Sequence, residues 1–240
     1  MKAKFETKTL KSLTDFLMEA TNEINLIVKK DEIYAEIYGI SGISAGLVRI
    51  PTEKIKDFKF EGEEKIGIDT KQFKDNLEIF RDNEIEITTK ENRIYLKSQF
   101  QETYFDMIDT KESDEAFPKA IKMMLPVSIE LDYTEFRNLI ASIEKMYSIF
   151  DLKFENKKLF IIGKRYTSGI TRELEIKTIF TEEKAKASYQ AELVKSLLAG
   201  NTEKTVKLQF GNDLPLRIIF KIGEADVISL IAPRVERGED

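Results

Sequence analysis

The chain has neither cysteine nor histidine among its 240 residues. That removes the thiolate and imidazole nucleophiles, the usual general base near neutral pH, and every nitrogen or sulfur ligand for zinc. With no thiol present, composition does not indicate the redox compartment. Long apolar runs are missing as well: nothing approaches the roughly 18 to 20 residues of a membrane span, and the polar stretch Met1 to Thr9 lacks a secretory apolar core. A cytosolic location is expected. Nor is there an excess of positive charge. Lys and Arg number 38 against 43 Asp and Glu, a net charge of -5, which disfavours a polycation that grips nucleic acid by bulk charge. Any contact with DNA has to be local.

A phosphate-cradling loop is also absent. Gly39, Gly42 and Gly46 do not have the Walker spacing, and Gly163-Lys164 is followed by Arg165 where Ser or Thr is needed. Carboxylate pairs such as Glu84 with Glu86 and Glu173 with Glu175 recur at a spacing of two, which puts both acids on one face of a strand. A solvated outer sheet face explains them better than acid–base or metal chemistry. No catalytic residue, metal site or cofactor is expected.

What is present builds cores. Hydrophobic residues make up 42% and charged residues 34%, enough for one large or two small domains. Alternation is the main signal: Leu26 and Val28 against Ile33, Ala35 and Ile37 across the polar turn Lys30-Asp31-Glu32; Ile85 and Ile87 against Ile94 and Leu96 across Lys90-Glu91-Asn92; Leu152 and Phe154 against Leu159 and Ile161 across Glu155 to Lys158. Four segments carry helical spacing instead: Leu10, Leu13, Leu17 and Ala20; Phe73, Leu77 and Phe80; Phe136, Leu139, Ile140 and Ile143; Leu193, Leu197 and Leu198. They are too short to form a bundle, so each should lie on a sheet. The fold class expected is α+β.

The order strand, helix, hairpin, strands, helix, hairpin occurs twice. A shift of about 126 positions places Leu10 on Phe136, Leu13 on Leu139, Leu17 on Ile143, Leu26 on Leu152 and Ile33 on Leu159, which reads as a tandem duplication. Convergent hydrophobic spacing is the alternative. Between the halves, Asp109 to Lys122 is acidic at first and then apolar around Pro118, as suits an exposed connector. The boundaries expected are 1–108 for a first domain, 109–126 for the connector and 127–240 for a second domain.

The last fifty residues are the most specific. Lys186 to Leu198 reads as a short helix and Val206 to Glu236 as two or three strands, in the order KASYQAELVKSLLAGNTEKTVKLQFGNDLPLRIIFKIGEADVISLIAPRVE. The hairpin Phe210 to Leu216 and the ending Leu230 to Glu236, at this spacing, resemble the end of the DNA sliding clamps of archaea and eukaryotes, the proliferating cell nuclear antigen family.

The resemblance implies two similar clamp domains in a ring around duplex DNA, helices inside and antiparallel sheets outside. On the helices' outer faces the basic residues directed at DNA would be Lys8, Lys11, Lys71, Lys74, Arg81, Arg137, Lys145 and Lys195. Acids share those helices, Asp15, Glu19, Asp75, Glu78, Glu135, Glu144 and Glu192 among them, so ordinary solvated faces with i to i+4 pairing explain the pattern as well.

Subunits would pair head to tail through edge strands at about Gln99 to Ile108 and Ile170 to Phe180, with Tyr104, Phe105 and Ile179 as apolar anchors, or buried within their own domains. A client peptide would enter a pocket of Ile40, Phe117, Pro118, Pro215, Leu230, Ile231, Ala232 and Pro233; for Pro215 and Leu230 a plain hairpin or core role is the alternative. After Ile40 the chain has Ser41-Gly42-Ile43-Ser44 where the family commonly has an Asp-Pro-Ser type turn, so client preference could differ.

The partners implied are double-stranded DNA held without sequence readout, DNA polymerase, a clamp loader, a flap endonuclease, DNA ligase, and two further subunits, identical or paralogous. The activity implied is processivity and recruitment in DNA replication and repair, without catalysis and close to the nucleoid. A monomeric or dimeric virus-type processivity factor that binds DNA electrostatically is the alternative.

Overall fold

The computed structural model describes residues 1–39, 42–109, 121–165, 168–179 and 184–234. The first series of elements is β1 (Lys2–Glu6), α1 (Thr7–Ala20), β2 (Glu23–Val28), β3 (Glu32–Tyr38), β4 (Ser44–Pro51), β5 (Lys56–Lys59), β6 (Glu64–Asp69), α2 (Thr70–Glu78), β7 (Glu84–Lys90), β8 (Arg93–Lys97) and β9 (Glu102–Asp106). The second is β10 (Val127–Asp132), α3 (Tyr133–Glu144), β11 (Ile149–Glu155), β12 (Lys158–Arg165), β13 (Ser168–Leu174), β14 (Ile176–Ile179), β15 (Ala185–Gln190), α4 (Ala191–Ser196), β16 (Thr205–Phe210), β17 (Leu216–Ile222) and β18 (Ala225–Ile231). The second series repeats the first, strand for strand and helix for helix.

Sheet topology repeats with it. The order β5-β1-β7-β8-β9 recurs as β14-β10-β16-β17-β18, and β4-β3-β2-β6 recurs as β13-β12-β11-β15. The hairpins are antiparallel, as in Ile87 opposite Leu96 and Leu152 opposite Ile161. Two compact units result: Met1–Phe117 with Ala199–Thr202 and Lys221–Val227, and Pro118–Leu198 with Glu203–Phe220 and Ile228–Asp240.

Local chemistry explains the shared hairpins. Glu91 and Asn92 have φ of 50° and 61°, and Asn156 and Lys157 have 52° and 62°. Two consecutive positive-φ residues make the turn whose twist matches that of the flanking strands, and Asn tolerates that conformation best. Helix starts are equally local. Asp69 accepts a hydrogen bond from the amide of Gln72 (2.7 Å), and Asp132 accepts one from the amide of Glu135 (3.0 Å), each satisfying a donor that the first helical turn leaves open. In α1 the Thr7 amide donates instead to the Asn83 carbonyl, and its hydroxyl to the Asp82 carbonyl.

Most of the apolar stripes are buried as the periodicity predicts, but Leu139 and Leu193 are half-buried, and Leu197 and Leu198, though buried, lie just beyond the helix. In the first unit Leu10, Leu13, Phe16 and Leu17 of α1 and Phe73 and Leu77 of α2 are buried, as are Ile24, Ile33, Ile66, Ile87 and Ile94 of the strands. In the second, Phe136, Ile140 and Ile143 of α3 and Val194 of α4 are buried, as are Leu131, Leu152, Phe154, Leu159, Ile161 and Leu208 of the strands. Each such side chain contributes about 1.5–3 kcal/mol when fully buried.

Two expectations are corrected. The helix expected over Lys186–Leu198 begins only at Ala191; before it, Ala185, Ala187 and Tyr189 point inward as β15 and pair with Phe154, Leu152 and Phe150 of β11. Cross-strand pairing overrides the good helical propensity of Lys, Ala and Gln there. Phe80, expected on the second helical stripe, lies just beyond α2, yet is fully buried.

Asp132 provides a test. The Glu135 amide and then the Lys177 ammonium hold its carboxyl below the usual value of 3.8. A depressed carboxyl stabilises the fold above its unfolded value, and that stabilisation is lost as pH falls through the folded one. Asp132→Ala is expected to lower the urea midpoint near neutral pH, with the gap to wild type closing in acid below pH 3.8.

Candidate functional site

Three surfaces remain once the cores are closed: the outward helix faces, the free strand edges, and the surface around β15 where the hairpin Gly211–Pro215 and Arg234 dock. On α1 and α2 the cations differ in environment. Lys11 donates to the Phe80 carbonyl (3.2 Å) and lies 3.6 Å from the Glu78 carboxylate. Lys74 sits 2.7 Å from Asp15, and that hydrogen bond raises the lysine above its ordinary value, so it stays charged but neutralised. In the second unit Lys195 pairs with Glu144 at 3.1 Å. Lys8, Lys71, Arg81, Arg137 and Lys145 are exposed and form no ion pair among the described residues. Lys8, Lys11 and Arg81 also line an open groove of about 660 Å³ beside the start of α1, shared with Glu6, Asp15, Asp82 and Glu84. These helix faces can hold anions only lightly, through a few screened contacts.

The strand edges are more specific. β9 ends the five-stranded sheet of the first unit and β13 ends the four-stranded sheet of the second. Each leaves a row of main-chain donors and acceptors without a partner strand among the described residues. The outer face of β8–β9 is a ladder of cross-strand pairs: Arg93 with Asp106 (3.0 Å), Tyr95 with Tyr104 (ring centroids 5.7 Å), and Lys97 with Glu102 (3.3 Å). Arg93 also stands 4.7 Å from the centre of the Tyr104 ring. Such pairs stiffen an edge.

Of the proposed anchors, Tyr104 is 54% exposed, but Phe105 is 3% exposed and packs on Phe73 at 5.9 Å. Neighbouring residues of a strand face opposite sides, so only one of the two can be an outward anchor. The Ile179 side chain lies outside the described residues. The single edge strand expected over Ile170–Phe180 is two strands: Leu174 pairs with Leu159, whereas Ile176 pairs with Leu131, so the chain crosses from one sheet to the other at Glu175.

The third surface is built on β15. The hairpin Gly211–Pro215 docks there: Asn212 Oδ1 accepts from the Lys186 amide (2.9 Å), the Asp213 amide donates to the Lys186 carbonyl (3.2 Å), and the Tyr189 hydroxyl donates to the Leu214 carbonyl (2.8 Å). Burial pushes the Tyr189 phenol far above its usual range, so it remains a donor. A Cβ at Gly211 would come 2.6 Å from Leu214 Cδ1 and 2.9 Å from the Pro126 ring, so only glycine lets that ring close on the turn. Beyond β18, the Arg234 amide donates to the Ser188 carbonyl (2.8 Å) and its guanidinium to Gln190 Oε1 (2.9 Å).

Of the expected pocket residues, Ala232 is exposed and Pro215 and Pro233 are half-buried, while Leu230 and Ile231 are buried. Ile40, Phe117 and Pro118 lie outside the described residues. Sequence reading missed Tyr189 and Gly211, although both stand in the quoted motif, and it missed Arg217, whose only signal is a cation inside the apolar run Leu216 to Phe220.

Comparison with known proteins follows the same lines. No protein-family model matches the chain. It is 21% identical over 235 residues to the DNA polymerase sliding clamp of Archaeoglobus fulgidus, covering 95% of each chain. Among solved structures it superposes with a TM-score of 0.86 on Archaeoglobus fulgidus PCNA bound to the C-terminal region of FEN-1, at 18% identity over 98% of both chains. The TM-score is also 0.86 with the PCNA2–PCNA3 complex of Sulfolobus tokodaii, at 21% identity over 98% of this chain and 99% of the other. In sequence over nearly its whole length, and in fold, the chain is similar to the archaeal DNA polymerase sliding clamps of the proliferating cell nuclear antigen family.

Proposed function

We propose that this chain is a DNA polymerase sliding clamp subunit that closes head to tail with two others, identical or paralogous, into a ring around duplex DNA. The observation that supports the reading best is the repetition of both sheet orders in the two units, with β9 at one end of its five-stranded sheet and β13 at one end of its four-stranded sheet. A heterologous contact between unlike edges generates a closed ring when its rotation fits the subunit number. The proposed domains are 1–108 and 127–240, joined by 109–126.

The lightly charged helix faces fit a protein held by linkage. Each neutralised phosphate adds only a modest, salt-dependent affinity, and a ring needs little of it because it leaves DNA only by opening. With no base readout the ring slides without sequence preference. It has no catalytic task and depends on a loader. Client proteins, of which a flap endonuclease tail is the kind seen on the Archaeoglobus fulgidus relative, dock at a site of Ile40, Phe117, Pro118, Pro215, Leu230, Ile231, Ala232 and Pro233. Apolar anchors in a pocket beside free main chain suit a short helical turn followed by an extended segment.

Light scattering after size exclusion is expected to give three times 27.8 kDa, alone or with sister subunits; a monomer at every concentration and in every mixture contradicts the ring. Loaded protein should stay on closed circular DNA and run off once it is linearised. Phe117→Ala should abolish client-peptide binding with the ring mass unchanged, and undiminished binding rules this pocket out. Leu230→Ala, at a buried position, is expected instead to cost about 2–5 kcal/mol of stability in urea titration.

A further inference from the structure

Arg217, second residue of β17, is only 8% exposed. Its guanidinium donates to Gln209 Oε1 (3.0 Å) and to two main-chain carbonyls, Ile121 O (2.5 Å) and Met123 O (2.7 Å). Gln209 stands opposite it in the β16–β17 register and donates in turn to Ser128 Oγ on β10 (3.2 Å). Three neighbouring strands thus hold one planar fork in place. Only a guanidinium presents several donors in fixed directions at once; a lysine reaches a single acceptor at a time with the same certainty of aim.

The segment so held leads directly to Pro126, whose ring closes on Gly211 beside Leu214. Residues 121–126 are therefore fastened at both ends, by Arg217 and by the hairpin. Between these points the side chains of Met123 and Met124 are 38% and 93% exposed. Two methionines on a fixed main chain are an unusual use of apolar surface. The thioether is flexible and polarisable, and it adapts to differently shaped apolar partners.

Position indicates which partner. The hairpin carrying Leu214 and Pro215, and Arg234 beyond β18, both dock on β15, which lies at the opposite side of its four-stranded sheet from β13. The hairpin, which the methionine segment meets at Pro126, thus lies at the other side of that sheet from β13 and belongs to the client site proposed above.

We propose that Arg217 is a positioning residue of the client site: by holding the main chain of Ile121 and Met123 it presents Met123 and Met124 as an apolar ledge, continuous with Leu214 and Pro215, for an aliphatic or aromatic side chain of a client peptide. This rests on the clamp reading above. The test uses the full-length assembled protein and a synthetic peptide of the flap-endonuclease C-terminal type, with affinity from calorimetry, amide hydrogen exchange over 121–125, and ring mass.

Arg217→Met is expected to weaken the peptide at least tenfold and to speed exchange over 121–125 while the ring mass holds. Met124→Ser should weaken it severalfold with exchange unchanged, a separation that a merely structural role for Arg217 does not produce. Arg217→Lys should fall between wild type and Arg217→Met, and if the methionine variant does not fold, the lysine variant carries the test with at least threefold weakening expected. Affinity within twofold of wild type in the Arg217 variants, or in Met124→Ser, overturns the proposal. A wild type that binds no such peptide overturns the client reading itself, and is thereby distinguished from variants that bind as well as a binding wild type.

Discussion

No described helix of this protein can stand without the sheet beneath it. The described helices run from the six residues of α4 to the fourteen of α1, lengths at which an isolated helix is marginal at best in water. Each unit's sheets likewise have an apolar face that must be covered. Burial of the helix residues Phe16, Phe73 and Leu77 together with the strand residues Ile66 and Ile87, and of Phe136 and Ile140 together with Leu152 and Ile161, is therefore the constraint from which the remaining surfaces follow. It turns the charged side of every helix outward and uses up the interior sheet faces. What is left for function is helix charge, strand edges and the surface at β15.

Those leftovers have different strengths. The helix faces are partly self-neutralised, since Glu78, Asp15 and Glu144 compensate Lys11, Lys74 and Lys195. Such faces grip poorly, which suits a protein that must slide. The edge at β9 is the opposite case: its outer ladder of Arg93, Tyr95 and Lys97 against Asp106, Tyr104 and Glu102 stiffens the strand before any neighbour arrives. A preordered edge loses less conformational freedom on pairing. A further edge, β15, is covered by the protein's own hairpin and by the segment after β18 through Lys186 and Ser188.

Much of this was readable from residue order because it depends on near neighbours. Period-two alternation located the hairpins, the Asn residues at 92 and 156 marked turns that need positive φ, and helical stripes located the cores. The FGNDLPL turn and the APRVE ending were readable because a tight turn restricts which residues can follow one another. Other features depended on distant partners. β15 is a strand because β11 is there to pair with it, and the break between β13 and β14 exists because Leu174 and Ile176 meet different sheets. Phe105 and Leu230 looked like surface anchors in one dimension and are core in three.

By itself the amino-acid sequence determined the class of fold, its duplication, the absence of thiol and imidazole chemistry, and the family it resembles. These follow from composition and from short-range periodicity, which need no knowledge of what lies across the core. Tertiary structure alone decided which apolar residues reach the surface, which lysines are neutralised, and that Arg217 is enclosed against the carbonyls of Ile121 and Met123, some ninety residues earlier. The physical reason is that burial and hydrogen bonding are properties of neighbours in space, and chain order does not specify those until the sheets have closed.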